Sequence, residues 1–396
     1  MKTTRRRFLT GGSAAVAGAL AAAGPAVSAR GANERFGVGL IGCGGRGQGV
    51  AAAFGKQKNV AVTVVCDPDE GRRENARKRL GAGRAVADLR RVLDSGDVDA
   101  VVIATPDHWH GPATLLACEA GKHVYVEKPC SHNIREGRLM VEAARRHKRV
   151  VQTGTQSRSC DGIRKAVARL RDGAVGRVRV AKAINSQRRR FIGRAEPSDP
   201  PAGLDFDLWL GPAPRRPFQK NLLHYNWHWF YAFGTGDIGN DGVHELDIAR
   251  WGLGVDGHPS QASGWAARMV FDDDHEFPDT YYTTFAFPGE GEVTDRRLLV
   301  FEQRDWSPYH QEGAENGNVF YGDKGMMLLA KGRGYRLIGE GNTVLEEKTW
   351  GLPTETHVTD FLDAVRTGRR PNADVLVGHY AATLAHLGNI VGRVGR

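Results

Sequence analysis

The sequence predicts an α/β protein with two domains: a doubly wound parallel sheet, then an α+β domain with a large open, mostly antiparallel sheet. A chain of 396 residues with 41% apolar residues is long for one domain and can build two sizeable cores. In the first half, apolar runs alternate with helical segments, which is typical of a parallel sheet covered on both faces. After Cys160, alternating strands follow one another with few helices between them, which indicates an antiparallel sheet with one exposed face.

The elements of the first half can be read in chain order. An apolar strand, RFGVGLIG, turns into glycines and is followed by a helix over 48–54. The later strands are VAVTVVCD, VDAVVIAT, KHVYVE and RVVQTGT, and the helices among them are GPATLLACEAG and IREGRLMVEAARRHK. Ligands of such sheets bind beyond the carboxyl ends of the strands, so the residues that follow each strand are the candidates for a site.

Three glycines follow the first strand directly in a G-x-G-x-x-G pattern: Gly42, Gly44 and Gly47. Such glycines let backbone N–H groups approach a pyrophosphate at the start of a helix. The second strand ends in Asp67, at the spacing from Gly47 where a carboxylate can accept hydrogen bonds from an adenosine ribose. This carboxylate should also repel a 2′-phosphate, so NAD is favoured over NADP, although Arg72 and Arg73 could soften that preference.

Three more strand ends should converge on the same crevice, namely TPDHWH at 105–110, EKP at 127–129 and QTGTQ at 152–156. The predicted cofactor-binding residues are Gly42, Gly44, Arg46, Gly47, Asp67, Thr105, Pro106, His108, His110, Glu127, Lys128 and Gln156. Lys128 falls where a nicotinamide ring would lie, and Pro129 fixes the backbone just beyond it. A lysine so placed can take a hydroxyl proton as hydride leaves carbon. The alternative is a lysine that is paired with a carboxylate or extended into solvent.

The second half contains a distinctive segment, NWHWFYAFGTGDIGNDGVHELDIARWGL, over 226–253. Its glycine-rich turns lead into an amphipathic helix that should begin near Asp241, with Asn240, His244 and Asp247 on one face. Asp247 could orient the His244 imidazole, which could then transfer a second proton or hold a substrate hydroxyl. The alternative is that this histidine is structural.

Other features of the sequence have competing interpretations. Trp227 and Trp229 could stack on a sugar face, although an aromatic cluster also suits a core. The formal net charge of +10 includes four cations within the segment 1–29, and the run Arg188–Arg190 fits a solvated loop, so no nucleic-acid partner is expected. No spacing of His, Cys, Asp or Glu residues indicates a metal site. The open antiparallel sheet favours a homo-oligomer, because its exposed face is available to a second copy of the chain.

The N-terminal segment, 1–29, has the pattern of an export signal. Paired arginines in TRRRFLT precede an apolar stretch over 11–23 and the small residues VSA at 27–29. The stretch is too short and too weakly apolar for a membrane span of roughly 20 residues. The pattern resembles a twin-arginine signal, so a periplasmic or otherwise extracytoplasmic location is expected. The five cysteines are odd in number and form no CxxC pair, as suits a chain that folds in the reducing cytosol before export.

Together, the segments GLIGCGGRG, VVIATPDHWH, GKHVYVEKP and GDIGNDGVHELDIARW resemble the glucose–fructose oxidoreductase / inositol dehydrogenase / MocA family. They occur in that family's order and spacing, and the resemblance covers residues 36–396. The implied divisions are an NAD-binding Rossmann domain over 35–156, a substrate-binding and oligomerisation domain over 157–375, and a C-terminal helix over 376–396 that packs back on the first domain.

The resemblance implies that the family's catalytic lysine is Lys128 and its histidine is His244. The family often has an aspartate four residues before that histidine, where this chain has Asn240. Asp241 or Asp237 could take its role, or proton transfer could rest on Lys128 and His244 alone. The predicted catalytic residues are Lys128, His244 and Asp241, and the predicted substrate-binding residues are Lys128, Trp227, Trp229, Asn240 and His244.

The implied activity is that of an exported NAD-dependent oxidoreductase, which transfers hydride between a sugar or polyol carbinol and a tightly bound cofactor. Free NAD is scarce outside the cytoplasm, so the cofactor should leave the cell already bound and be recycled without release. An NAD-dependent glycosidase or epimerase, which oxidises one sugar carbon transiently, is the alternative. A non-catalytic sugar-binding protein is a second alternative.

Overall fold

The computed structural model of this protein describes residues 35–289, 295–309, 315–351 and 354–394. The predicted export signal over 1–29 lies outside these residues. One structural unit, Phe36–Arg396, contains both sheets. All five cysteines are free and buried. Within the described ranges, no helix is long and apolar enough to cross a membrane.

The strands of the first domain are β1 (Phe36–Ile41), β2 (Val60–Cys66), β3 (Arg84–Val86), β4 (Ala100–Ile103), β5 (His123–Val126) and β6 (Val151–Thr153). They form one parallel sheet in the order β3-β2-β1-β4-β5-β6. The central strands β1, β4 and β5 consist almost entirely of buried apolar residues, because helices cover both faces. This is the doubly wound Rossmann arrangement, whose strand order reverses between β1 and β4 and opens a crevice there.

The helices of the first domain are α1 (Gly45–Gly55), α2 (Glu70–Leu80), α3 (Arg90–Leu93), α4 (Asp107–Glu119) and α5 (Ile134–Arg146). The side chain of Asp69 caps α2 by accepting a hydrogen bond from the Arg72 amide, and Asn133 caps α5 in the same way. In contrast, α1 begins directly after Gly44, and the described chain supplies no side-chain cap to it. A ligand can therefore take the place of the cap at the N-terminus of α1.

The strands of the second domain are β7 (Val178–Asn185), β8 (Pro197–Ser198), β9 (Phe218–Gln219), β10 (Gln261–Ala267), β11 (Thr280–Phe287), β12 (Arg297–Arg304), β13 (Asn316–Gly322), β14 (Met326–Ala330), β15 (Gly334–Ile338) and β16 (Val344–Thr349). Eight of them form a sheet in the order β10-β11-β12-β7-β13-β14-β15-β16, and β8 pairs with β9. Adjacent strands of the large sheet are antiparallel except β12 and β7. The predicted fold class is confirmed.

The later helices are α6 (Asp161–Arg171), α7 (Phe206–Leu210), α8 (Val243–Leu253), α9 (Thr354–Thr367) and α10 (Val375–Val394), with 3₁₀ turns at Gln156–Ser159, Asn226–Trp229 and Glu340–Asn342. The helix that was expected to begin near Asp241 is preceded by a π-helical turn, Ile238–Gly242, and becomes α-helical at Val243. One face of the large sheet packs on α8. A Cβ atom at Gly252 would lie only 2.3 Å from the ring of Phe320 on β13.

Helices α9 and α10 connect the second half of the chain to the first domain. On α9, the ring of Phe361 packs edge-on against Phe54, with 5.5 Å between ring centroids. The predicted bounds assign 354–367 to the second domain, whereas these contacts make α9 part of the core of the first sheet. On α10, Gly378 approaches the side chain of Thr153, and Asn389 accepts a hydrogen bond from the Tyr281 hydroxyl at 2.7 Å. This helix therefore contacts both sheets.

Candidate active site

The glycine-rich turn after β1 is tight and leaves the start of α1 accessible. Gly42 has φ +94°, and a Cβ atom there would lie 2.4 Å from the Ala104 carbonyl oxygen. A Cβ atom at Gly47 would lie 2.1 Å from the Gly42 carbonyl oxygen. Larger residues would therefore force the turn open, while Gly44 and Gly45 face the crevice at the N-terminus of α1. This cradle fits the pyrophosphate of a dinucleotide.

Asp67 is held at the end of β2 by backbone groups. Its Oδ2 accepts a hydrogen bond from the Cys43 amide at 2.8 Å, and its Oδ1 accepts one from the Asp69 amide at 3.0 Å. Burial raises the pKa of this carboxyl above its usual value. The oriented carboxylate fits the two ribose hydroxyls of an adenosine, and the Arg72 guanidinium lies beside the glycine turn, 3.4 Å from a Cβ built at Gly44.

These groups open into one crevice of about 570 Å³. The predicted site residues that line it are Gly42, Gly44, Arg46, Gly47, Asp67, Thr105, Pro106, His110, Glu127, Lys128, Trp227 and Asn240. His110 lines it without a free ring nitrogen, because Nδ1 lies 2.6 Å from the Pro129 carbonyl and Nε2 3.0 Å from the Thr105 carbonyl. His110 thus links the chain after β4 to the chain after β5. Burial lowers the pKa of its imidazole to about 4.

Lys128 lies at the centre of the crevice and is held by the second domain. Its Nζ donates to the carbonyl oxygen of Asn240 at 2.6 Å and to Oδ1 of the same residue at 3.1 Å. The amide nitrogen of Asn240 donates to Asp237 Oδ1 at 3.1 Å and to the Tyr225 hydroxyl at 3.0 Å. Among the described residues, no carboxylate lies within 4 Å of the ammonium, so Lys128 is neither neutralised by an acid nor extended into solvent.

The acids near Asn240 bind an arginine rather than the lysine. Asp237 is fully buried, and its Oδ1 lies 2.6 Å from Arg189 Nη2, which also pairs with Asp241. Burial alone would lower the pKa of Arg189, but Asp237, Tyr225 and Asp241 together outweigh burial and raise the pKa. A carboxylate at position 240 would face Asp237 directly, which explains why an amide occupies this position. The expectation that Arg188–Arg190 is a solvated loop is wrong at its middle residue.

Asp241 and His244 lie behind the lysine, outside the crevice lining. Burial would raise the pKa of Asp241, but the cations Lys331, Lys128 and Arg189 outweigh burial and hold this pKa well below its usual range. Burial, followed by Lys331, lowers the pKa of His244, so its imidazole is neutral near pH 7. Nδ1 of His244 is buried and has no partner within the part of the chain that the structure describes. That nitrogen remains available to a proton or hydroxyl.

Asp247 does not orient His244, contrary to the expectation from helical spacing. Its two carboxylate oxygens accept hydrogen bonds from Arg158 at 2.7 and 2.8 Å in a buried pair. Arg158 comes from the 3₁₀ turn after β6, 89 residues away. The pair therefore fastens α8 to the 3₁₀ turn that follows β6, and His244 is oriented without it.

Three other predicted site residues are structural. His108 places Nε2 3.1 Å from the Trp209 carbonyl oxygen and packs against Phe233. Gln156 donates to the Tyr125 hydroxyl at 2.9 Å, behind the crevice. Trp229 is 3% exposed and packs against His275, so it cannot stack on a ligand in the crevice.

Residues 203–228, called the cover segment below, form the opposite wall of the crevice. The Gly203 carbonyl oxygen accepts from the Glu70 amide at 3.0 Å, next to Asp67. The Trp209 carbonyl oxygen accepts from Trp109 Nε1 at 3.0 Å. His224 Nε2 lies 3.4 Å from Asp69 Oδ2. The cover segment is thus attached to both the ribose end and the nicotinamide end of the crevice.

The site residues that were missed from the sequence are Arg189, Tyr225 and Lys331, of which only Tyr225 belongs to the cover segment. They carry no local motif, and tertiary packing places them near Asn240 and His244. Among the described residues, no group of three His, Cys, Asp or Glu side chains is placed to hold a metal ion.

Two models of one oxidoreductase family match the chain. The model described as an oxidoreductase family NAD-binding Rossmann fold matches residues 36–155, and the one described as its C-terminal alpha/beta domain matches 163–267, together more than half of the chain. The chain belongs to the glucose–fructose oxidoreductase / inositol dehydrogenase / MocA family. The family resemblance of the sequence motifs is therefore confirmed.

Among curated relatives, levoglucosan dehydrogenase of Pseudarthrobacter phenanthrenivorans is 25% identical over 229 residues, 56% of this chain and 52% of the relative. The chain thus spans about half the length of that relative. A solved structure of levoglucosan dehydrogenase in complex with NADH and levoglucosan has the same fold, with TM-score 0.67, 18% identity and coverage of 90% of this chain and 96% of that chain.

Two further relatives have different names. The scyllo-inositol 2-dehydrogenase (NAD(+)) of Bacillus subtilis is 25% identical over 332 residues, which are 79% of this chain and 83% of the relative. The glycosyl hydrolase family 109 protein 2 of Shewanella sp. (strain ANA-3) is 38% identical over 116 residues, 27% of this chain and 25% of the relative.

The substitution Asn240→Asp should destabilise the protein in a pH-dependent way. The new carboxyl would face Asp237 across about the present 3.1 Å, so its pKa would rise above the value in the unfolded chain. The substitution therefore lowers the free energy of unfolding only slightly at pH 5, where the protonated acid can still donate a hydrogen bond to Asp237. The loss grows as the pH rises and the new carboxyl ionises. At pH 8, the free energy of unfolding should fall by about 2 kcal/mol, measured by urea unfolding beside the wild type.

The exchange variant Asp237→Asn/Asn240→Asp keeps one carboxylate at this place and serves as the control. This variant should recover part of the lost free energy of unfolding at pH 8, because residues 237 and 240 no longer both carry a negative charge. An equal loss for Asn240→Asp at both pH values would contradict the repulsion argument.

Proposed function

We propose that this protein is an exported NAD-dependent oxidoreductase that transfers hydride between a sugar or polyol carbinol and a tightly bound nicotinamide cofactor. The observation that carries the proposal is the Lys128 ammonium, fixed in the crevice by two oxygens of Asn240 with no carboxylate of the described chain beside it. When bound, NAD supplies the acceptor for the hydride and, once reduced, the donor. Asp67 lines the crevice and favours NAD over NADP, because its carboxylate would repel a 2′-phosphate.

The residues of the chain would handle the protons of this reaction. As the neutral amine, Lys128 takes the hydroxyl proton when a carbinol is oxidised; as the ammonium, it gives a proton to the oxygen when a carbonyl is reduced. His244, which is neutral and has an unpartnered nitrogen among the described residues, accepts a second proton or holds a neighbouring hydroxyl. The negative charge of Asp241 favours the protonated form of that imidazole. Trp227 and Tyr225 supply an aromatic wall of the kind that stacks on sugar faces.

The names of the relatives support a polyhydroxyl substrate. Two of them are dehydrogenases of levoglucosan and of scyllo-inositol, which carry several carbinol groups on a ring. The glycosyl hydrolase family 109 relative favours the alternative function, in which transient oxidation of one sugar carbon allows elimination or epimerisation. That match spans about a quarter of each chain, so the oxidoreductase remains the first proposal.

An exported enzyme of this kind must keep its cofactor bound, because free NAD is scarce outside the cytoplasm. The twin-arginine pattern over 1–29 would carry the folded protein out of the cytoplasm. The cover segment contacts Glu70, Trp109 and Asp69 along the crevice, and these contacts would slow the release of a bound nucleotide. A retained cofactor must be recycled in place, either by a second carbonyl substrate or by return of the hydride.

Self-association through the large sheet is the remaining part of the proposal. Trp265 on β10 pairs with Tyr282 on β11, and both are about half exposed on the face away from the core. Tyr321 on β13 is also exposed. An aromatic sheet face of this kind would be covered by a second copy of the chain.

The substitution Lys128→Ala should abolish hydride transfer and leave the cofactor bound. Loss of the positioned acid/base lowers the rate by about 10²–10⁴-fold, while the glycine turn and Asp67 remain intact. The measurement is the absorbance of the bound reduced nicotinamide in single-turnover mixing with a panel of sugars and polyols. Lys56→Ala, at an exposed lysine far from the crevice, is the control and should behave as wild type.

Turnover that survives in Lys128→Ala would show that the acid/base assignment is wrong. A wild type that no sugar or polyol reduces or oxidises would point to the non-catalytic alternative. Steady release of nitrophenol from aryl glycosides, without added acceptor, would establish the glycosidase alternative instead.

The full-length protein should be recovered from the extracytoplasmic fraction with about one NAD(H) per chain. Replacing the three arginines of TRRRFLT by lysine should leave the protein in the cytoplasm.

In the purified protein, Trp109→Phe/His224→Ala removes two contacts of the cover segment and should speed nucleotide dissociation about tenfold. Arg194→Ala, at an exposed ion pair away from these contacts, should leave the dissociation rate unchanged.

The double substitution Trp265→Arg/Tyr282→Arg should reduce the oligomer to a smaller species in multi-angle light scattering, because it places two charges on the covered face. The bound nucleotide should stay, since the crevice is in the other sheet. Ile390→Arg, on the exposed side of α10, is the matched control. A wild type that is monomeric at micromolar concentration would exclude the interface.

A further inference from the structure

A second cavity, of about 670 Å³, lies in the second domain and, within the described ranges, shares no lining residue with the crevice. The end of α6, the start of β7, the end of α8 and the start of α10 form its walls. Five arginines line it: Arg158, Arg171, Arg177, Arg250 and Arg297. Among the described residues, Asp256 is its only acidic lining residue. The cavity is therefore strongly cationic.

Two of these arginines have carboxylate partners. Arg158 forms the buried bidentate pair with Asp247 and covers the ring of Trp251 at 4.4 Å. Arg177 lies 3.3 Å from Asp295, but its side chain is 58% exposed, so solvent screens this pair. The charge of Arg158 is neutralised inside the protein, and that of Arg177 remains accessible at the rim.

Arg250 is buried without an adequate partner in the described part of the chain. It is 3% exposed, and its Nη2 makes one long hydrogen bond, 3.4 Å, to the Gly257 carbonyl oxygen. Its Nε is buried and has no acceptor among the described residues. The guanidinium stacks 4.8 Å from the Tyr380 ring at the cavity wall. A buried cation with unused donors is costly unless a ligand supplies the missing oxygen atoms.

Groups that would repel an anion are already occupied. The last carbonyl groups of α8 point toward the cavity end of that helix, where the helix dipole is negative. Arg297 Nη1 donates to the Leu253 carbonyl oxygen at 3.3 Å and to that of Gly254 at 2.6 Å. Arg297 therefore cancels the negative end of the helix. Arg171, at the end of α6, has no carboxylate within 4 Å in the described part of the chain.

We infer that this cavity binds a phosphate group, either as inorganic phosphate or as the phosphate of a small monoester. Arg250 supplies the buried donors, and Arg171 and Arg177 bind the phosphate from the exposed edge of the cavity. Guanidinium groups bond two phosphate oxygens at once, and a dianion matches more than one uncompensated arginine. Asp256 opposes the ligand and limits its affinity.

The test is isothermal titration of the full chain with inorganic phosphate and with methyl phosphate, at an ionic strength held constant with sodium chloride. With NAD at a saturating concentration, so that the crevice is filled, both probes should bind to a single site, and tighter binding of methyl phosphate would identify a monoester as the ligand. Arg171→Gln should weaken binding about tenfold, since one charge-assisted contact is lost. Asp256→Asn should tighten binding several-fold.

Arg164→Gln on the same helix α6, outside the cavity lining, is the matched control and should bind phosphate as the wild type does. Because Arg171 is exposed, its substitution should not disturb folding, which the thermal unfolding temperature without phosphate will verify. Two outcomes would overturn the inference. Either phosphate gives no more heat than a titration with sodium chloride alone, or Arg171→Gln and Arg164→Gln bind phosphate with equal affinity.

Discussion

The crevice depends on one contact, the pair of hydrogen bonds from the Lys128 ammonium to Asn240. Fixing a lysine side chain costs up to about 2 kcal/mol of rotamer freedom. Hydrogen bonds from a charged donor, worth about 1.5–3 kcal/mol each, offset that cost. Lys128 belongs to the first domain and Asn240 to the second, so the position of the amine is set by the packing of the two sheets.

The acids around this contact are paired with cations. Arg189 compensates Asp237 and Asp241, and Lys331 lies 2.9 Å from Glu245. Removing one member of such a buried group leaves an unpaired charge, so these residues stabilise the site only as a set. The amide at position 240 adds a hydrogen-bond acceptor for the lysine without adding a third negative charge beside Asp237.

The sequence allows the first domain to be predicted because its signals are local. The apolar strands β1, β4 and β5, the glycine turn and Asp67 all follow from spacing along the chain. Helix α2 was missed because only Ala76 on it is buried, so it has no apolar stripe, although its caps at Asp69 and Gly81 were readable. Arg189 and Tyr225 could not be predicted, because they come from irregular chain that tertiary contacts alone place. Asp247 shares a helix face with His244, yet a partner 89 residues away binds it.

The packing of Phe361 against both Phe54 and Tyr125 has a consequence for biosynthesis. Domains of large proteins generally fold as units during translation, the N-terminal one first. Here the core of the first sheet includes α9, which follows the strands of the second domain in the chain. The first sheet therefore cannot complete its core before the second domain has been synthesised, so the two sheets are not independent folding units.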